Sequence, residues 1–108
     1  MDIFELGSRP KTAEVNGVTV RSLALRQKSR LEAIVSKDGN RSTKDCEEVR
    51  WIALRYGIID PETNECLLTD KDKQRFPEME SHFVEPIFEK ILELTGVTDA
   101  DREEFEGN

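Results

Sequence analysis

The feature that most constrains this chain is the apolar stripe in EMESHFVEPIFEKILELT, residues 78–95. Val84, Ile87, Phe88, Ile91 and Leu92 recur at i, i+3, i+4, i+7 and i+8, which places them on one helical face. Phe83 and Leu94 widen that face. An amphipathic helix of this length is stable only when its stripe is covered, so the rest of the chain must supply elements to pack on it. Pro86 lies inside the segment and removes one backbone donor, which predicts a kink near 82–86. Gly96 ends the helix, and Thr98 caps a last acidic turn or two in DADREEFEGN.

The covering elements are legible upstream. Asn16-Gly17 between Val15 and Val18 is the signal of a type I′ turn, which needs φ > 0 at both central residues. It predicts a hairpin of strands 12–15 and 18–21. Residues 23–36 suit a helix with Ser22 as N-cap and a mixed stripe through Leu23, Arg26/Gln27, Arg30/Leu31 and Ile34/Val35. KDGNRS, with Gly39 and Asn40, breaks it. Thr43 opens a second helix, with Asp45 and Glu47 favoured in its first turn by the helix dipole. Its stripe is Cys46, Val49, Ile52, Ala53 and Tyr56, and Gly57 is placed to be its C′ residue. Trp51 falls off that stripe, either broadening the buried face or standing exposed for binding. Thr69, with Asp72 three residues on, starts a helix around 70–76 that meets Pro77, which either ends it or opens the next one. The expectation is a mainly α fold: a small helical domain of four to five helices with a short N-terminal β-hairpin.

A chain of 108 residues makes one domain with one modest core. Residues 11–108 form that domain. Residues 1–10 form a flexible apolar arm: Ile3, Phe4 and Leu6 precede a joint marked by Gly7, Ser8 and Pro10. The arm either tucks under its own core or docks on a neighbour.

The segment GIIDPETNECLLTDKDKQRF, residues 57–76, begins like a calcium loop. Counted from Asp60, however, Glu65 stands where the sharp turn demands Gly, and Lys71 stands where the bidentate carboxylate belongs. We therefore expect no metal. Asp60-Pro61 starts a turn instead, with Asn64 free to adopt the left-handed region. Catalysis is equally poorly supplied. His82 is the only histidine. There is no nucleophile elbow or Gly-rich phosphate loop, and Cys46 and Cys66 have no base beside them in sequence. The acid pairs Asp70/Asp72 and Glu103/Glu104 read as solvated helix starts. We expect no catalytic, cofactor-binding or metal site, and two free thiols.

Net charge is −7, which disfavours a general nucleic-acid binder. It is unevenly spread: residues 1–56 carry 11 Lys/Arg against 8 Asp/Glu, and residues 57–108 carry 5 against 15. Such polarity suits head-to-tail association, or is simply a solvated face. No apolar run reaches the ~18–20 residues of a membrane span. MDIFELGSRPK is unlike a secretory leader, so a cytoplasmic protein is expected.

Taken in order, the Val-Asn-Gly-Val hairpin, the first helix, the turn leading to NECLLTDKD, the long apolar helix and the ending LTGVTDADREEFEGN resemble the tail assembly chaperones of long-tailed, siphovirus-type bacteriophages. The resemblance spans residues 15–108 and is one of layout and short motifs. It implies a non-catalytic protein that binds the tape measure protein and keeps it soluble until the tail tube protein polymerises around it. It also implies a longer frameshifted form that recruits tube subunits, a spiral homo-oligomer, and a place in the host cytoplasm but not in the mature virion. The resemblance carries no individual binding residue; from the apolar pattern itself we expect Ile3, Phe4 and Leu6 to meet a neighbouring copy, and Phe83, Ile87, Phe88 and Ile91 to meet the client. The rival is a small acidic regulatory binder, of the antitoxin or nucleic-acid-mimic type, whose negative half blocks a basic partner.

Overall fold

The computed structural model describes residues 2–35 and 42–106. Five α-helices and a small sheet follow in the order α1 (Ile3–Gly7), β1 (Thr12–Val15), β2 (Val18–Arg21), α2 (Leu25–Val35), α3 (Thr43–Gly57), β3 (Ile58–Ile59), α4 (Ser81–Thr95) and α5 (Asp99–Glu106). Two single 3₁₀ turns, Asp70–Asp72 and Phe76–Glu78, join β3 to α4. The fold is mainly α, as the periodicity predicts. The expected break at Gly39 and Asn40 lies outside the described residues, as does the last residue of the expected first helix.

The hairpin forms at the expected register, with Val15 opposite Val18. Asn16 and Gly17 take φ of 51° and 82°, the two left-handed residues of a type I′ turn. Asn16 also has a tertiary role. Its side-chain amide donates to the Phe83 carbonyl at 3.1 Å and reaches the His82 carbonyl at 3.5 Å. Pro86 has no N–H to give the carbonyl four residues back, so His82 lacks its helical donor. The hairpin tip covers the gap, and α4 runs continuously through Pro86.

A third strand is added that periodicity does not reveal. β3 pairs antiparallel with β2 through Thr19–Ile59 and Val20–Ile58, making the order β1-β2-β3. Two residues are too short for an alternating pattern. Ile59 and Cys66 then form a bridge, so residues 60–65 close a tight loop. The Asp60 side chain accepts from the Glu62 N–H at 2.8 Å, and Asn64 takes φ of 63°.

α3 and α4 pack together, with α2 against α3, α5 against both α2 and α3, and the hairpin against α4. The consecutive residues Trp51, Ile52, Ala53 and Leu54 are all buried, because α3 has neighbours on several sides. Trp51 is thus core, edge-on to Phe76 with ring centroids 5.4 Å apart. The same burial takes in Ile87, Phe88, Ile91 and Leu92, each 0% exposed.

Three expected helix features are reassigned. Ser22 does not cap α2. Its hydroxyl accepts from the Lys11 N–H at 2.9 Å and its own N–H donates to the Lys11 carbonyl at 2.8 Å, prolonging the hairpin. The first bonds of α2 go to the Ala24 carbonyl instead. Nor is Gly57 a left-handed C′ residue. It is the last residue of α3, and a Cβ there would stand 2.5 Å from Ile91 Cδ1. Glycine is required by the close approach of α4, not by backbone conformation. The expected helix over 70–76 is instead the two 3₁₀ turns, with Pro77 inside the second.

α3 starts at Thr43 as expected, and its cap is the residue before, Ser42, which forms a reciprocal capping box with Asp45. Gly96, at φ 88°, ends α4 in a Schellman turn, its N–H bonding the Glu93 carbonyl and that of Val97 the Leu92 carbonyl. The Thr98 hydroxyl accepts from the Asp101 N–H at 3.2 Å to start α5.

Candidate functional site

The polar groups are arranged for structure. Arg50 of α3 and Glu85 of α4 form a two-pronged ion pair, Nε to Oε1 and Nη2 to Oε2, the latter at 3.1 Å. The Arg50 guanidinium also lies over the Phe88 ring, 4.8 Å from its centroid. It therefore lids the core between the two helices while keeping its charge paired. Asp72 accepts from the Thr69 N–H at 2.8 Å and pairs with Arg75 at 3.0 Å. These bonds, the backbone one first, hold its carboxyl below the usual carboxylate range. Its neighbour Asp70 pairs with Arg55. His82 is exposed at the first turn of α4. Cys46 is half-buried and Cys66 exposed, both as free thiols. Among the described residues no group of three or more His, Cys, Asp or Glu is placed to hold a metal ion, and no helix is long and apolar enough to cross a membrane.

The surface contrast lies in the apolar residues. Ile3 is 72% exposed and Phe4 82%, with Leu6 at 43%. They sit on α1, a short helix whose start is capped by Asp2, with its carboxylate accepting from the Phe4 N–H at 2.9 Å. None of its residues is buried. The three arm residues singled out from sequence are thus brought together as one uncovered apolar turn. Leu25, at the start of α2, is 78% exposed and was not legible as a surface residue, because leucine at a helix start reads equally well as core.

The four α4 residues fare differently. Ile87, Phe88 and Ile91 are sealed in this chain's own core, against α3 and the sheet, and offer no surface to a client. The expectation that they contact a client is corrected on that ground. α3 and the hairpin together supply the cover that the stripe needs. Phe83 alone keeps a half-exposed ring, at the edge of the cluster.

At the root of the arm the chain surrounds a hollow of about 210 Å³. Its walls are Arg9, Pro10, Arg21, Ser22, Leu23, Ala24 and Leu25, with Gly7 and Ser8 at the joint. The sequence does not show this feature, since it is assembled from the joint, the end of β2 and the start of α2. Fold and surface together define a small mainly α domain with a three-stranded antiparallel sheet and a protruding apolar turn. Compared with family models, with curated proteins and with solved structures, the chain matches none.

Proposed function

We propose that this chain is a non-catalytic tail assembly chaperone of a long-tailed bacteriophage. It binds the tape measure protein, keeps it soluble, and helps recruit tail tube subunits, chiefly through a longer frameshifted form. It works in the host cytoplasm as a homo-oligomer and is absent from the mature virion. The reading rests on the resemblance in layout described above. The observation that carries it is the uncovered Ile3–Phe4–Leu6 turn. Apolar side chains held out on a capped turn gain free energy only when another chain covers them.

Mechanistically this is holding by mass action. A protein that binds an exposed apolar helix lowers the concentration free to aggregate. Several weak contacts along one extended client act together by avidity. In this reading the arm joins copies, and client contact through α4 is confined to the flank of Phe83. Co-expression with tape measure fragments is the test. More fragment should appear in the soluble fraction with this protein than without it, and an unchanged soluble fraction overturns the proposal.

The rival reading, an acidic binder that blocks a basic partner, is favoured by one observation: residues 57–108 hold 15 Asp/Glu against 5 Lys/Arg. It requires tight binding to a single folded partner that weakens steeply with salt, whereas the chaperone reading requires apolar client binding with a shallow salt dependence.

A further inference from the structure

The arm and the hollow at its root are complementary in two respects. The arm offers Ile3, Phe4 and Leu6, flanked by the carboxylates of Asp2 and Glu5. The hollow offers Pro10, Ala24 and the exposed Leu25 beside the buried Leu23, with Arg9, Arg21 and Ser22 also in its walls. Among the described residues, neither Glu5 nor Arg9 has an ion-pair partner, and Arg21 bonds only the Ser22 carbonyl through Nε. The charges that would match therefore sit unused a few residues apart. They cannot readily meet within one molecule. Ser8, Arg9 and Pro10 are both the joint of the arm and a wall of the hollow, so the turn would have to double back on its own root.

We infer that two copies of this chain exchange arms about a twofold axis, each α1 lying in the hollow of the other. Phe4 fills the partner's hollow over the exposed face of Leu25, and Glu5 faces the partner's Arg9 and Arg21. Placement allows closure: because arm and hollow adjoin, a twofold axis beside them can put each arm in the other copy's hollow, which is the self-complementary geometry of a C2 contact. A growing spiral would need donor and acceptor on opposite sides. Two exchanged arms and two covered Leu25 side chains bury on the order of 1,000 Å², at the low end for a specific interface. The dimer is accordingly a concentration-dependent one. This inference rests on the proposed role of the arm in joining copies and adds the surface that receives it.

Sedimentation velocity on the full chain, over a range of concentrations, tests it. The unmodified chain should move from monomer to dimer and no further. Phe4→Asp should stay monomeric with an unchanged circular dichroism spectrum. Glu5→Arg and the double variant Arg9→Glu/Arg21→Glu should each raise the dimer Kd by roughly tenfold or more, because each turns the arm-to-hollow charge contact from attractive to repulsive at both symmetric sites. Mixed together, those two proteins should form a one-to-one dimer as tight as the original, because both hollows then receive an arm of opposite charge. If the mixture is no tighter than its components while Phe4→Asp still abolishes association, the hollow is not the acceptor, and the arm's role in joining copies survives. If the unmodified chain stays monomeric throughout, both readings fail. Growth into ever larger species overturns the twofold closure.

Discussion

Replacing Gly57 with alanine pits a local gain against a tertiary cost. Alanine in place of glycine within a helix is worth about 1 kcal/mol in propensity. In this chain the new Cβ meets Ile91 at 2.5 Å from Cδ1, 2.9 Å from Cγ1 and 3.2 Å from Cγ2. The tip of an isoleucine can swing aside where there is room, but Ile91 is 0% exposed and three of its atoms are involved. Its β-branch leaves essentially one rotamer in a helix, so α4 itself must shift. With three atoms of a fully buried side chain overlapped, the cost falls in the upper part of the range for overpacking, about 2–3 kcal/mol, and set against the gain of about 1 kcal/mol the net expectation for Gly57→Ala is a loss of about 1–2 kcal/mol. Urea denaturation at fixed protein concentration, followed by circular dichroism and by the fluorescence of the buried Trp51, measures it. The second arm of the experiment is Ile91→Val, which removes Cδ1 and alone costs about 0.5–1.5 kcal/mol. In the double variant the closest contact is gone, so the two losses should fall short of additivity by about 1 kcal/mol. A glycine kept for a left-handed conformation would also resist alanine, but would show no coupling to Ile91. Additive losses, or a Gly57→Ala protein as stable as the original, would refute the steric account.

Three further outcomes are expected. Asn16→Ala should cost about 2 kcal/mol, from left-handed strain and the lost bonds to α4, and Asn16→Gly distinctly less, since glycine keeps the turn; thermal or urea melts of the two variants check this. Arg50→Ala should destabilise more than Glu85→Gln, by about 1 kcal/mol, because the arginine also covers Phe88 whereas the partly exposed ion pair alone is worth little; denaturation midpoints of the pair decide it. Asp72 has its carboxyl lowered in the fold, so the stability it lends is fully present above about pH 4 and is lost as pH falls through its folded value. An acid titration of stability should show Asp72→Asn flatter than the original below pH 4, and parallel curves would count against the Thr69 and Arg75 bonds as its cause.

Local order was readable residue by residue. The turn at Asn16-Gly17, the helix starts at Thr43 and Thr98 and the stop at Gly96 each depend on side chains within a few positions of the backbone they serve. The α4 stripe was readable for the same reason, since helical periodicity is a property of the segment itself. The candidate surface was half legible. Three apolar residues ahead of a proline joint marked the arm, but nothing local distinguished Ile87, Phe88 and Ile91 as core residues from the same residues as contacts. That distinction depends on how much cover the rest of the chain provides.

By itself, then, the sequence determined the four helices from α2 to α5, where the hairpin turns, and that one end carries apolar residues with little around them, but not the α1 turn or the 3₁₀ form of residues 70–78. Tertiary structure alone decided that β3 joins the sheet, that Gly57 is kept small by Ile91, that Asn16 reaches the His82 carbonyl left without a helical donor by Pro86, and that arm and hollow lie side by side. Each of these brings together residues distant in the chain or separate elements of it. Such pairings are set by the packing of whole elements, and no short-range preference along the chain encodes them.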